Sequence, residues 1–342
     1  VLPSLDGHWL VRWQGDANIT VDGISQTARH ELRVDGDRSH TIRLAEQTLR
    51  LKPRQNQLCS NRRFVVLGDG RAALDGVGPS AYWSGILNEA LAIQPDAVFH
   101  TGDFVKNGDS LQEWRNYIGS LPIWPPVIGV RGNHDRGSYF DELKIAYGDI
   151  YALELGPLLL VGLDSEVSLG RFEEMMVTLD DVLGKQSQRW IVVMLHRPVW
   201  SQGNHGSDER GFNSLLVPVL DRHGVDLVLS GHDHNYERFC PSIGLDGRRR
   251  CDGEKGVTYL ITGGAATFTN HWPGVSRKVA AATAEKDAEM SQVFSGSKHF
   301  IALDVEPQRM VLSVHRTRAG NLRPPGLIDR FELTRPMPDC PP

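Results

Sequence analysis

The 342-residue chain is short of several features that would each place it in a class. No apolar run is long enough to cross a bilayer: the most apolar stretch, Tyr151 to Leu163, is broken by Glu154 and two glycines, so no membrane span is expected. There is no surplus of positive charge. Lys and Arg number 37 against 42 Asp and Glu, a net charge of -5, which excludes a global field that recruits nucleic acid and leaves any phosphate recognition to local groups. Cysteines number only four, none in a Cys-x-x-Cys spacing, so thiolate metal sites and dithiol redox motifs are absent. No Gly-Lys-Thr phosphate loop supports nucleoside-triphosphate chemistry, and no Gly-x-Ser-x-Gly elbow supports a serine hydrolase. Internal repeats and low-complexity tracts are also lacking. What is present is ordinary globular composition, 40% hydrophobic and 23% charged, at a length that at about 150 residues per domain suggests roughly two domains.

The cysteines carry a compartment argument. Between Cys240 and Cys251 the run Pro-Ser-Ile-Gly-Leu-Asp-Gly reads as a turn that returns the chain as a hairpin, which pairs these two. Cys59 then meets Cys340, tying the start of the main domain to the C-terminal tail and implying an oxidising compartment, extracellular or periplasmic. The competing reading is four reduced, buried thiols. A chain that opens on Val1 without a charged-then-apolar leader fits a secreted or periplasmic product whose signal peptide has been removed, and equally a trimmed chain. The single Asn-x-Thr triplet, at Asn18, is a pattern that arises by chance.

Residues 1–60 alternate apolar and polar in short runs separated by Asp-Gly pairs, which predicts a small β-rich N-terminal module. From residue 61 to 342 the texture is that of an α/β fold: Val-, Ile- and Leu-rich runs alternating with segments of helical length. Strands are expected at Phe64 to Leu67, Ala97 to His100, Val127 to Val130, Leu158 to Leu163, Trp190 to Leu195, Asp226 to Leu229 and Val257 to Ile261. Helices are expected at Tyr82 to Ile93 and Phe212 to Arg222, and three more strands at Phe300 to Val305, Met310 to His315 and Ile328 to Leu333. The polar, Ala-rich stretch Trp272 to Lys298 reads as a helix or a loop over the site.

Metal-binding residue types follow these strands with regularity: Gly68-Asp69, Gly102-Asp103, Gly132-Asn133-His134-Asp135, His196, and Gly231-His232-Asp233-His234. Singly, each has a plain structural reading, because Gly-Asp is a common turn pair and a lone histidine is usually a satisfied one. Together, five segments each just past an apolar run point to one place, since ligand sites in open α/β sheets form outside the carboxyl ends of the strands. Two carboxylates, one amide oxygen and three imidazoles make a mixed nitrogen and oxygen set suited to Mn, Fe or Zn.

In these motifs and their order the chain resembles the calcineurin-like metallophosphoesterase superfamily, whose signature is Asp-x-His, Gly-Asp, Gly-Asn-His-Asp/Glu, a separate His, and Gly-His-x-His. The segment Leu195 to His205, followed by Gly231-His-Asp-His-Asn235, is similar to the purple acid phosphatase and tartrate-resistant phosphatase branch. The resemblance implies a metallophosphoesterase-type β-sandwich flanked by helices and two divalent or trivalent ions, Fe, Mn or Zn, with Asp103 bridging. Asn133, His196 and His232 complete one position; Asp69 and His234 serve the other. Two departures weaken the second position. Arg71 stands where the Asp-x-His branch has a histidine, and Lys106 where purple enzymes have a tyrosinate, so no charge-transfer colour is expected. Arg71 and Lys106 read either as solvated surface cations or as groups that grip substrate phosphate.

By resemblance the activity is hydrolysis of phosphomonoesters by a metal-bound hydroxide at the dinuclear site. His134 would serve as general acid or phosphate donor, Asp135 would hold its imidazole, and His205, on a Gly-rich loop, would act as a second acid or phosphate contact. Asp164 is expected in a supporting or turn role, and Asp233 and Asn235 hold the turn of the paired histidines. Two rivals stand beside this reading: a phosphodiesterase acting on nucleotides or phospholipid head groups, and a non-catalytic protein that binds a phosphorylated ligand with an incomplete Asp69/His234 metal position. The partner implied is a small-molecule phosphate ester; no protein partner leaves a trace in the sequence.

Overall fold

The structure, a computed structural model, describes residues 2–3, 8–12, 18–26, 31–35, 38–44, 47–51, 57–71, 78–122, 125–143, 148–185, 190–245, 248–265, 268–269 and 281–336. Two sheets form its centre. One has six strands in the order Val127–Gly129, Ala97–His100, Arg62–Leu67, His299–Val305, Arg309–Arg316 and Gly326–Thr334; the first three are parallel and the rest antiparallel. The other has seven, in the order Ile150–Leu155, Leu158–Leu163, Trp190–Met194, Leu227–Ser230, Thr258–Thr262, Tyr236–Phe239 and Ser291–Ser295, with four parallel strands flanked by antiparallel ones.

Strand side chains alternate between faces, and here both faces are apolar, which is why these strands read as near-continuous hydrophobic runs. Phe64 and Val66 join Leu158, Leu160, Val192, Met194, Leu227 and Leu229 in one buried cluster that draws on both sheets, so the sheets stack face to face. Val65, Leu67 and Val98 face the other way, onto the helices Trp83–Leu91 and Leu111–Ser120 through Trp83, Ile86, Trp114 and Tyr117. On the far side Leu159, Val161 and Val193 meet the helices Leu169–Gly184 and Asn213–Arg222. The result is four layers, helix, sheet, sheet, helix, in agreement with the α/β sandwich expected from the sequence.

Two short helix starts are set by serine caps. Ser110 Oγ accepts from the Glu113 N–H at 3.3 Å and Ser168 Oγ from the Arg171 N–H at 3.3 Å. The 16-residue helix Leu169–Gly184 is absent from the sequence reading, although its buried Phe172, Met175, Met176, Leu179 and Leu183 keep helical spacing. Within Trp272 to Lys298, residues 281–290 form a helix that runs directly into the edge strand Ser291–Ser295; residues 272–280 lie outside those described. The apolar stretch Tyr151 to Leu163 is a hairpin of two strands.

The N-terminal residues form a three-stranded antiparallel sheet, Leu2–Pro3, His8–Arg12 and Glu31–Asp35, and a four-stranded one, Ile24–Gln26, Ile19–Val21, His40–Leu44 and Gln47–Leu51. Both contribute to a small core of Val11, Ile19, Val34 and Ile42. The Asp22-Gly23 pair makes a two-residue hairpin turn with both residues at positive φ, 52° and 83°. Cys240 and Cys251 are joined by a disulfide with their Cα atoms 5.6 Å apart, across the hairpin of Ser242–Ile243 and Arg250–Cys251. The other expected pairing, Cys59 with Cys340, involves Cys340, which lies outside the described residues.

Candidate active site

Each motif follows the carboxyl end of a strand: Asp69 after Arg62–Leu67, Asp103 after Ala97–His100, Asn133 after Val127–Gly129, His196 after Trp190–Met194, and His232 and His234 after Leu227–Ser230. Three of these residues, Asp69, Asp103 and His232, have positive φ of 61°, 58° and 67°, half of the six such non-glycine residues among those described. That conformation costs a side-chain-bearing residue energy, and its concentration here marks a functional site. The motif glycines are required by close approach. A Cβ on Gly132 would sit 2.3 Å from Asp103 Oδ1, and one on Gly231 would sit 2.6 Å from Asp69 Oδ2.

The histidines are oriented by acceptors, which fixes which nitrogen carries the proton. His196 Nδ1 lies 2.8 Å from the Thr101 carbonyl, which only accepts, so Nδ1–H donates and Nε2 presents a lone pair. That lone pair faces two further acceptors, Asn133 Oδ1 at 3.1 Å and Asp103 Oδ1 at 3.4 Å. His234 repeats the pattern: Nδ1 donates to the Phe268 carbonyl at 2.8 Å, leaving Nε2 3.6 Å from Asp69 Oδ1. His232 is turned the other way, its Nε2 2.7 Å from Glu209 Oε2, to which it donates, and 3.1 Å from Arg197 Nη1, which also pairs with Glu209, so that Nδ1 is the lone-pair nitrogen. Acceptors aimed at acceptors repel unless a cation lies among them, and ligand-capable atoms of Asp69, Asp103 and His196 all fall within 4.8 Å of one another.

Electrostatics agree with that donor set. Burial holds His196 and His232 below the ordinary imidazole range and brings His234 down to about 4, with Arg71 adding to the effect, so all three are neutral at physiological pH. Burial and then the neighbouring Asp103 carboxylate push Asp69 well above the carboxylate range. Burial raises Asp103 too, but His196, His134 and Arg71 outweigh it and hold Asp103 well below that range.

Asp135 is placed differently from its expected task. Its buried carboxylate accepts four backbone N–H groups, from Gly132 and Asp103 at 2.8 Å, Phe104 at 2.8 Å and Val105 at 3.1 Å, and so locks together the two loops that bear Asn133 and Asp103. The imidazole of His134 is held instead by the Lys106 carbonyl, 2.9 Å from Nδ1, while its backbone N–H donates to Asp103 Oδ1 at 3.0 Å. The Lys106 and Asn107 N–H groups donate to Glu113, which fixes the segment carrying that carbonyl. Arg71 Nε lies 3.1 Å from Asp103 Oδ2.

Sequence reasoning missed a second group beside the first. His205 lies against His232 with ring centroids 3.9 Å apart and the planes tilted by 37°, and Glu209, four residues on, comes within 3.7 Å of His205 Nδ1 while accepting from His232. Arg197 pairs with Glu209 on one side and with Glu166 at 2.6 Å on the other. The i,i+4 spacing of His205 and Glu209, and an arginine directly after His196, are the only traces of this in sequence. Beneath the loop, Asp233 accepts from Ser201 Oγ at 2.5 Å and from the His205 N–H at 2.9 Å, which gives it a role in holding His205 as well as its own turn. Asp164, raised by burial to about 6, accepts from the Glu166 N–H at 2.7 Å and lies 3.4 Å from Arg131 Nε, a supporting position.

A family profile described as calcineurin-like phosphoesterase matches residues 62–236, just over half of the chain. Among curated proteins, a nucleotide pyrophosphatase/phosphodiesterase of Hordeum vulgare is 26% identical, the match covering 64% of this chain and 72% of that protein. Acid phosphatase type 7 of Homo sapiens is 27% identical over 54% of this chain and 53% of its own length, so the chain spans about half of that relative. Among solved structures, the purple acid phosphatase PPD1 from yellow lupin (Lupinus luteus) seeds shares the fold with a TM-score of 0.68 at 17% identity, covering 95% of this chain and 68% of that one.

Proposed function

Because the chain belongs to the calcineurin-like phosphoesterase family, we propose that it is a metal-dependent hydrolase of phosphomonoesters working at the cluster just described. The observation that carries the proposal is the convergence of acceptors: a lone pair of neutral His196 faces Asn133 Oδ1 at 3.1 Å and Asp103 Oδ1 at 3.4 Å. This set fits a cation, and with the His232 imidazole it supplies two nitrogens and two oxygens without thiolate, which suits Fe, Mn or Zn. Asp69 and His234 flank the second position that a dinuclear arrangement would use. When bound, such an ion supplies Lewis acidity, lowering the pKa of a water and drawing charge from the phosphoryl oxygens during in-line attack.

The rest falls to the chain's own groups. Asp103 holds the site negative before substrate arrives, and the Thr101, Phe268 and Glu209 acceptors keep three imidazoles in the tautomer that binds. His134 keeps a proton on Nδ1 at the Lys106 carbonyl and, when protonated on Nε2, passes that second proton to the leaving-group oxygen. His205 and Arg71 contact phosphate oxygens from either side. The Cys240–Cys251 disulfide supports a secreted or periplasmic setting for the enzyme.

Parallel assays on p-nitrophenyl phosphate, bis-p-nitrophenyl phosphate and a cyclic nucleotide, each with Mn, Fe or Zn added, test the reading. Fastest turnover of the monoester is the expected result. Preference for the diester would favour the second reading, a phosphodiesterase, to which the name of the barley relative lends support. Phosphate binding without turnover under any metal would leave a phosphate-ligand-binding protein.

A further inference from the structure

The two cation positions of this site are not equivalent, and the difference rests on one side chain. At the position lined by Asp103, Asn133 and His196, with the His232 ring beside that of His196, the His196 Nε2 lone pair faces Asn133 Oδ1 at 3.1 Å and Asp103 Oδ1 at 3.4 Å. At the position between Asp69, Asp103 and His234, the Arg71 guanidinium has entered, its Nε 3.1 Å from Asp103 Oδ2. Arg71 is held there by its backbone: the residue pairs with Pro79, and the Ser80 N–H donates to the Gly70 carbonyl at 2.7 Å, so the segment that carries Asp69 is pinned with Arg71 directed at the site. The side chain is 18% exposed and Asp103 is 2% exposed, which makes this a sheltered ion pair.

We propose that the guanidinium of Arg71 is the resident cation of the Asp69/Asp103/His234 position, so that the protein binds one metal ion, at Asp103, Asn133, His196 and His232, in place of the two of a dinuclear arrangement. This deepens the functional reading and rests on it. Three physical points support it. A guanidinium is permanently charged and cannot be deprotonated to make room, so a second metal would have to approach a fixed positive charge sharing the same carboxylate. The Asp103 carboxylate that a second ion would have to share already has its Oδ2 paired with that guanidinium at 3.1 Å. Residue 71 itself supplies N–H groups where a metal needs a lone pair, so among the described residues it is no replacement donor. Arg71 gives a phosphoryl oxygen charge and hydrogen bonds but no Lewis acidity, so all the acidification of water falls to the remaining ion.

The test is metal stoichiometry on the full chain, stripped by chelator and titrated with Mn2+, read by equilibrium dialysis with elemental analysis and by electron paramagnetic resonance. The wild type is expected to take up about one ion per chain with an uncoupled six-line signal. Arg71→His, which offers a lone pair in place of the cation, is expected to bind about two, the signal collapsing as the second ion couples to the first. His196→Ala should abolish the wild-type ion, whereas His234→Ala should leave it in place and should cancel the second ion of Arg71→His. Arg71→Gln serves as a second charge-removing variant if Arg71→His fails to fold, and more than one ion in it again supports the proposal. Two ions in the wild type, or equal loss of metal from His234→Ala and His196→Ala, would overturn it. One ion in a wild type that hydrolyses no ester would sink the phosphoesterase reading and leave the inference standing; no ion at any Mn2+ concentration would end both.

Discussion

His134 and Asn133 are adjacent in sequence but are held by different partners, and their replacement should separate two functions. Asn133 Oδ1 points at the lone pair of His196, while His134 is tied through Nδ1 to the Lys106 carbonyl. Replacing His134 with Asn therefore should leave metal content unchanged and reduce turnover by roughly 100- to 10,000-fold, the usual span for loss of a general acid. The loss should be smaller for p-nitrophenyl phosphate, whose leaving group needs little protonation, than for an alkyl phosphate. Equal losses on both substrates would remove His134 from the acid role. Glu209 makes a complementary case. It touches no expected substrate atom but accepts from His232 Nε2, so Glu209→Gln should weaken metal binding by about 10- to 100-fold, as supporting groups to metal-bound imidazoles commonly do. Titration of the stripped variant with Mn2+ measures that directly.

At the scale of elements, the loop bearing His205 depends on a buried network that joins three distant segments. Ser207 Oγ donates to Asp287 in the helix Ala281–Met290, and Asp287 pairs with Arg249 at 2.5 Å. Arg249 stacks 3.8 Å over the Trp200 ring, beside the disulfide-linked hairpin. Asp287→Ala removes the support of the loop and strands a buried guanidinium, which typically costs 3 to 5 kcal/mol; a lower melting temperature and a raised KM for phosphate esters are expected together. Asp287→Asn keeps an acceptor for Ser207 and should lower the melting temperature while leaving KM near the wild-type value. None of this network was legible in sequence, because burial of Asp287 and Arg249 is a consequence of where the last sheet strand lies. What was legible had strong local causes. Doubly buried strands show as apolar runs, and glycines before polar residues mark the strand ends, so Asp69, Asp103, Asn133, His196, His232 and His234 could be brought together from spacing alone. The helix Leu169–Gly184 is absent from the sequence reading although its apolar residues keep helical spacing between charged ones, and Asp135 was assigned to His134 by proximity in sequence when its geometry sends it to four backbone amides.

The molecule as a whole should carry a pH signature set by Glu237. This residue sits in the strand Tyr236–Phe239, fully buried, where its carboxyl accepts from the Gln202 N–H at 2.9 Å and Ser291 Oγ at 2.6 Å and so links the active-site loop to the edge of the seven-stranded sheet. Burial, only partly offset by those two donors, pushes it up to about 8. Below the unfolded value of about 4.5 both states hold the proton and stability is unaffected. Between about 4.5 and 8 the unfolded chain releases a proton that the folded chain retains, so stability falls as pH rises; above 8 both are ionised and the loss is complete. At about 1.36 kcal/mol per pH unit, the whole interval amounts to at most ~5 kcal/mol. Asp164 and Asp226, each raised to about 6 by burial, act in the same direction but are finished by then. The buried histidines His100 and His299, brought down to about 3 and 4, act in the opposite direction and only below the ordinary imidazole pKa. The window from about pH 7 to 8 therefore belongs to Glu237 among these groups. Glu237→Gln preserves shape and hydrogen-bonding capacity but cannot ionise, so its melting temperature should gain on that of the wild type steadily from pH 5 to pH 8 and run parallel to it beyond. Parallel profiles across the entire range would mean that Glu237 ionises as readily in the folded chain as in the unfolded one, and that the buried link between loop and sheet is open to water.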